Sequence, residues 1–335
     1  MEEFEYILRV NCVTYNHSSY IKNALDGFCM QKTSFPFVCV IVDDASTDGE
    51  QSLLIQYLKT NFDIEDSQVA HREETDDFVK IFAQHKINRS CFFSVFLLKY
   101  NHYQANKSKR GYLDDTFRTK YVAMCEGDDY WIVPNKLQLQ VDFLENHNDY
   151  GLVYTNTKVW REKTSELYDS PEDYHDGYVT EELLKFNFIC TLTVCYRTSV
   201  LDLIDRSFEE QKFLMGDLPL WIEFSRHTKI GCIPVYTSVY RRLEDSASHS
   251  TSLRKTLLFR LNSLQAKLYF AEKYDYKKQT IVLKRNVCYV ESLILCLDKK
   301  RPSAMMKYIK SHHFGLNDFK YFIRLLCLNN NNTNF

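Results

Sequence analysis

The chain has 335 residues, 45% of them hydrophobic and 26% charged, with a net charge of −2. Gly (9) and Pro (6) are scarce, which excludes a collagenous or Pro/Gly-rich disordered chain. At roughly 100–200 residues per domain, the length implies two domains, or one large domain with an appendage.

The first elements are short and well punctuated. Leu8 to Val13 is an apolar run that ends in the polar turn Thr14-Tyr15-Asn16-His17-Ser18. Tyr20 to Met30 places Ile21, Leu25 and Phe28 at helical spacing. Phe37 to Val42 (FVCVIV) is an unbroken β-branched and aromatic run, the pattern of a strand buried on both faces of a parallel sheet. It ends in Asp43-Asp44-Ala45-Ser46-Thr47-Asp48-Gly49, and a helix (QSLLIQYLKT) follows. Strand–helix–strand–helix is the opening of an α/β fold. Residues 62–90 are mixed and acidic and take no clear pattern. Phe92 to Leu98 reads as a strand, 101–111 as a basic polar loop, and Tyr121 to Cys125 as a short strand before Glu126-Gly127-Asp128-Asp129-Tyr130-Trp131. Pro134 to Asn146 is expected to be a helix with Pro in its first turn. Gly151 to Trp160 and Thr191 to Arg197 are strand-like, and Ile230 to Arg241 reads as one or two strands. From about residue 252 the pattern is helical.

Several classes fall away. No apolar run approaches the roughly 18 residues of a membrane span; the longest candidate is Cys91 to Leu98. The start, MEEFEY, lacks the apolar segment of a secretory signal. Eleven cysteines in that context read as reduced thiols of a cytoplasmic protein, and the lack of any C-x-x-C pair argues against a zinc knuckle.

The chemistry lies where apolar strands end in carboxylates: Asp43, Asp44 and Asp48, then Glu126, Asp128 and Asp129. In open α/β sheets, ligands bind beyond the carboxyl ends of the strands. Two acidic clusters there repel each other unless a cation compensates. Mg²⁺ or Mn²⁺ takes one or two carboxylates and leaves positions for phosphate oxygens, which points to a diphosphate ligand. Asp48 has a plainer reading too, since Asp-Gly before a helix is turn and capping chemistry.

Five motifs then occur in order over residues 8–250: VNCVTYNHSSYIKNALDGFCMQ, VIVDDASTDG, YVAMCEGDDYWIVPNKLQLQVDFLE, MGDLPLW and IPVYTSVYRRLEDSASHS. In this the chain resembles the inverting family 2 glycosyltransferases of GT-A fold, of the bacterial surface-polysaccharide type. The resemblance implies a Rossmann-like mixed α/β sheet flanked by helices over residues 1–250, with a basic helical region at 251–335. It implies transfer of a sugar, on UDP by family habit, from a nucleotide-diphosphate donor to a saccharide or glycolipid acceptor, assisted by Mn²⁺ or Mg²⁺.

By the same resemblance, Thr14, Tyr15 and Asn16 lie against the nucleotide base, and Asp44 binds the base or ribose. Tyr15 could equally be a core aromatic. Asp128 serves the ribose or metal, Asp129 coordinates the metal directly, and Trp131 packs. Asp217 is the general base that takes the acceptor proton, or a helix cap, or both. Relatives carry a histidine soon after the Tyr-Arg of the last motif. Here His249 stands farther on as its substitute at the metal, while Arg241 or Arg242 could clamp the diphosphate. The loop Lys107–Arg110 is a further diphosphate or acceptor candidate beside its reading as a solvated loop.

Three other classes compete. A receiver domain would be a third of this length, with its acidic pair after the first strand. A nucleotidyltransferase opens with a Gly-rich basic loop, which VTYNHSSY is not. A non-catalytic nucleotide-sugar-binding relative would be expected to lose carboxylates that this chain keeps.

Charge is divided unevenly. Residues 251–335 hold 16 Lys/Arg and 5 Asp/Glu, a net of +11, against −13 for the first 250. The basic region is either an appendage with a solvated Lys-rich face or a surface for anionic lipid or an acidic partner. Its apolar stripe, with Leu257, Leu258, Leu261, Leu264 and Leu268, would pack on the catalytic domain or form a homodimer. No recognition motif supports nucleic acid. The expected location is the cytoplasm, at the inner face of the membrane if the basic face meets lipid.

Overall fold

Leu8–Thr14 forms strand β1, and every residue of it but Val13 is buried. A computed structural model of the protein describes residues 4–114, 116–172, 174–244, 252–312 and 315–327. In chain order β1 is followed by α1 (Ile21–Cys29), β2 (Phe37–Asp43), α2 (Glu50–Asn61), β3 (Ala70–Glu74), β4 (Phe78–Gln84), β5 (Cys91–Leu98), α3 (Arg110–Leu113), β6 (Tyr121–Met124), β7 (Tyr130–Trp131) and α4 (Lys136–Asn146). Then come β8 (Tyr150–Arg161), β9 (Glu166–Asp169), α5 (Thr180–Lys185), β10 (Cys195–Arg197), α6 (Asp217–His227), β11 (Lys229–Arg242) and the helices α7 (Leu253–Lys273), α8 (Lys277–Leu297), α9 (Arg301–Ser311) and α10 (Leu316–Leu326).

The strands form one mixed sheet in the order β3-β4-β5-β2-β1-β6-β10-β8-β11-β7, with β9 on β8. Its centre is parallel: β2 pairs with β5, and β1 pairs with both β2 and β6. The flanks are antiparallel, through β3, β4 and β5 on one side and β6, β10 and β8 on the other. This is the expected mixed α/β architecture.

All seven residues of β2 are buried, because helices or hairpins cover both faces of a parallel strand. Phe37, Cys39 and Ile41 enter the main core with Ile21, Leu25 and Phe28 of α1 and Leu54 and Leu58 of α2. Val40 and Val42 face the other way, to Phe96 and Leu98. Each such side chain contributes about 1.5–3 kcal/mol on burial, so the strand's position and register are strongly determined.

The structure refines several expectations. The unplaced segment 62–90 contains the β3–β4 hairpin, which extends the sheet beyond β5. Pro134 stands just before α4, which begins at Lys136. Of Thr191–Arg197 only Cys195–Arg197 is strand; Thr191–Thr193 is a 3-10 turn. Ile230–Arg241 belongs to one 14-residue strand, β11.

The chain divides into two compact units. The first comprises 1–179, 188–204 and 224–241; the second comprises 180–187, 205–223 and 242–335. Two internal stretches thus join the C-terminal helices. In the second unit Leu257, Tyr289, Val290, Leu293, Ala304, Tyr308, Phe322 and Leu325 form a core of their own, with Leu258, Leu261 and Leu264 packed on it. Much of the stripe in α7 therefore has its partners in α8–α10.

In the first unit Lys136 is fully buried, its ammonium 4.5 Å from the Trp131 ring and 2.6 Å from Gln140 Oε1. Burial lowers its pKa to about 8. Between that value and about 10.4, the unfolded chain holds this proton and the folded chain releases it, so charging Lys136 costs stability below pH 8 and the cost fades as pH rises. The stability difference between Lys136→Met and wild type should therefore shift in favour of wild type by up to about 3 kcal/mol from pH 7 to 10.5. Denaturant titrations at several pH values check this. Parallel curves for the two proteins would contradict the buried charge.

Candidate active site at the carboxyl ends of the parallel strands

Register brings the candidate residues of the first unit to one edge. Thr14 stands beside Asp43 across β1–β2, and Asn11 beside Met124 across β1–β6. The turns that follow β1, β2 and β6 therefore emerge together.

Glu50, fully buried at the start of α2, binds the first two turns. It accepts hydrogen bonds from the Thr14 hydroxyl, from the His17 amide at 2.8 Å and from Ser46 Oγ at 3.0 Å. Burial pushes its pKa up, and these donors offset that only in part. Asn16 reinforces the junction. It adopts a left-handed conformation (φ 57°), donates its amide to Ser46 Oγ and accepts the Thr47 amide on Oδ1, each at 2.8 Å. Asp48 accepts the amides of Ser18 (2.9 Å) and Glu50 (3.1 Å), so it holds the first amide of α2 and ties the turns together. Tyr15 is 36% exposed and is not a core aromatic.

The third turn, Glu126–Asp129, lies against the first. A Cβ on Gly127 would sit 2.2 Å from Thr14 Oγ1 and 2.6 Å from Thr14 Cβ, so only glycine allows this approach. His17 reaches both turns, with Nδ1 3.2 Å from Thr14 Oγ1 and Nε2 4.0 Å from Asp128 Oδ2. Asp129 is buried and accepts the Arg241 amide at 2.7 Å. Burial, then Asp128 and Glu126, push its pKa well up. The buried Arg241 guanidinium donates to the Asp128 carbonyl and, at 2.8 Å, to Asn23 Oδ1, over the Tyr130 ring at 4.3 Å. Its fork thus holds the acidic turn. Trp131 packs as expected: it is buried against Phe28 and donates to the Leu192 carbonyl at 2.9 Å.

Asp44 is buried and engaged by the basic loop. It accepts the His102 amide at 2.6 Å, the Tyr103 amide at 3.2 Å and Lys109 Nζ at 2.8 Å. Burial alone would raise its pKa, but Lys109 and the two amides outweigh it and hold the carboxyl below its ordinary value. Lys109 therefore departs from the solvated-loop reading. Beside the β2 turn, Ala45, Ser46 and Thr47 border a cavity of about 630 Å³ whose other walls include Ile55 and Leu58 of α2 and His71 and Val79 of the hairpin.

Asp217 belongs to the second unit, where it is the first residue of α6 and accepts a 3.3 Å bond from Asn187 Nδ2. Arg242 also falls in that unit and is exposed. His249 lies outside the described residues. Among the described residues, no three His, Cys, Asp or Glu side chains gather as a metal cage. Sequence reasoning missed Glu50 and His17. Glu50 follows Asp-Gly at a helix start, where a carboxylate is ordinary, and His17 looked like one polar turn residue among several.

Residues 10–78 match the family model of glycosyl transferase family 2. That segment holds Thr14, Tyr15, Asn16 and Asp44. Uncharacterized proteins of Mycobacterium bovis and Mycobacterium tuberculosis are 29% identical over 245 residues, 71% of this chain. The chain spans 59% of the length of these relatives. Among solved structures, S. aureus TarS 1–349 in complex with UDP is 14% identical, over 95% of this chain and 90% of that one, with a TM-score of 0.48. The mannosyltransferase PcManGT from Pyrobaculum calidifontis, in complex with GDP-Man and Mn²⁺, is 14% identical over 96% and 79%, with a TM-score of 0.48.

The contact between the first and third turns is directly testable. Gly127→Ala should cost about 1–3 kcal/mol, the usual scale of overpacking in a tight site. A thermal melt reads this, and a variant as stable as wild type would show that the turns do not touch.

Proposed function

We propose that the chain is an inverting GT-A glycosyltransferase that moves a sugar from a nucleoside-diphosphate donor, UDP-linked, to a saccharide or glycolipid acceptor of surface-polysaccharide synthesis. The observation that carries the reading is the convergence of Tyr15–His17, Asp44 and Asp128–Asp129 at the carboxyl ends of three adjacent parallel strands, where α/β sheets bind their ligands.

Each residue has a role its surroundings permit. The exposed Tyr15 ring offers a face to the base. An ionised carboxylate has about four lone-pair positions. Three of those on Asp44 are filled, which leaves one for a donor on the base or ribose. Asp128 and Asp129 would hold Mn²⁺ or Mg²⁺, which when bound would supply positive charge for the diphosphate. The fit is chemical: Asp129 is crowded by Asp128 and Glu126 and strains against ionisation. A protein site of two carboxylates also suits a hard cation that keeps places for phosphate oxygens. Arg241 positions this turn, and Glu50 positions the other two.

The reaction is an in-line displacement. The acceptor oxygen bonds to the anomeric carbon as the bond from that carbon to the diphosphate oxygen breaks. The acceptor proton passes to Asp217, and the nucleoside diphosphate leaves with the bonding electron pair.

Asp129→Asn should weaken Mn²⁺ binding and UDP binding together in titration calorimetry; unchanged Mn²⁺-dependent binding would remove Asp129 from the site. Asp217→Asn should retain donor binding and lose about 10²-fold or more in turnover. Near-normal turnover would leave Asp217 a helix cap only. NMR of early product should show inversion at the anomeric carbon, and retention would refute the single displacement.

A further inference from the structure

The second unit ends in a helical pair whose outward face is both greasy and basic. In α9 the side turned to the core carries Ala304, Tyr308 and Ser311, all buried. The opposite side carries Met305, Met306 (59% exposed) and Ile309 (56% exposed), all large and apolar. At 100° per residue these three, with Pro302, span about 100° of the helix. Arg301 borders that stripe on one side and Lys310 on the other, and both are exposed. In α10, Phe322 and Leu325 are buried, while Lys320, Phe319 and Tyr321 are exposed. Phe319 lies beside α9, its ring 6.1 Å from that of Tyr308.

The cations of this face are uncommitted. Elsewhere in the helices, Arg254 pairs with Asp298, Lys284 with Glu272 and Lys307 with Glu291. Lys300, Arg301, Lys310 and Lys320 make no salt bridge among the described residues. Met305, Met306 and Ile309 thus form a contiguous apolar stripe between unpaired cations, and contiguous apolar patches mark interaction sites. No described helix is long and apolar enough to cross a membrane.

We infer that α9 and α10 form a docking surface for an anionic lipid bilayer. Met305, Met306 and Ile309 enter the acyl boundary, while Lys300, Arg301, Lys310 and Lys320 meet lipid phosphates. An amphipathic helix lying in the interface has this pattern, an apolar stripe flanked by cations. Charge complementarity decides the occupant. A second copy would bring the same unpaired cations face to face, whereas an anionic bilayer neutralises them. Each Lys or Arg near such a surface raises partition roughly fivefold. The inference does not depend on the proposed activity.

Vesicle flotation of the full chain tests it. The protein should float with phosphatidylcholine vesicles containing phosphatidylglycerol at low salt, and remain soluble with phosphatidylcholine alone or at high salt. Met306→Ser combined with Ile309→Ser should reduce flotation about tenfold or more, as should Arg301→Glu combined with Lys310→Glu. These sites are exposed, so circular dichroism and the thermal transition should match wild type. Absence from the floated fraction at low salt would overturn the inference, as would flotation unaffected by either variant. Sedimentation showing a dimer that the Ser variant breaks, without vesicle binding, would assign the face to a second copy instead.

Discussion

Carboxylates crowd the edge of the sheet where β2, β1 and β6 end, and the rest of the first unit is arranged around their neutralisation. Most of the neutralising groups are amides and hydroxyls. Glu50 takes Thr14, His17 and Ser46; Asp48 takes two amides; Asp129 takes that of Arg241. Asp43 is bonded to the Ser46 amide and Gln51 through Oδ1, while its buried Oδ2 has no hydrogen-bond partner among the described residues. Asp44 gains a full cation, Lys109 at 2.8 Å. Charge-assisted bonds of this kind are stronger than neutral ones, so each one fixes a turn as well as a charge. Three loops of little regular structure are in this way held to one geometry.

The arrangement concentrates negative charge that the protein does not fully balance. Asp129 is held against ionisation by burial and by its neighbours, and the Asp128 carboxylate lies 4.0 Å from His17 Nε2. On the proposed reading, a cation and, through it, an anion would relieve this charge. The same logic in reverse governs α9 and α10, where unpaired Lys and Arg flank exposed Met and Ile. The first unit thus carries an acidic site at its strand ends, and α9 and α10 of the second carry a basic and apolar face.

Much of the first unit was legible because its elements obey local rules. FVCVIV fits a doubly buried strand, which β2 is, and the helical spacing of Ile21, Leu25 and Phe28 matches α1. The hairpin over 70–84 was not legible. β3 (AHREE) is exposed and polar, and it acquires its place only by pairing with β4. The second unit was visible as helices, yet its inclusion of 180–187 and 205–223 depends on long-range packing that no local pattern carries. At the site, Asp44, Asp128 and Asp129 stood out because carboxylates at strand ends are conspicuous. Their partners did not. Lys109 is 65 residues from Asp44 and Arg241 is 112 from Asp129. Gly127 and Glu50 have ordinary sequence surroundings, and only the approach of the turns makes them necessary.

The central claim is that the three strand ends form one donor site. Crystals soaked with UDP and Mn²⁺ would test it most directly, with data collected at the manganese edge. The account predicts an anomalous peak beside Asp128 and Asp129, and nucleoside density running between Tyr15 and Asp44. A manganese peak away from that turn, or UDP bound only in the cavity between α2 and the β3–β4 hairpin, would contradict it.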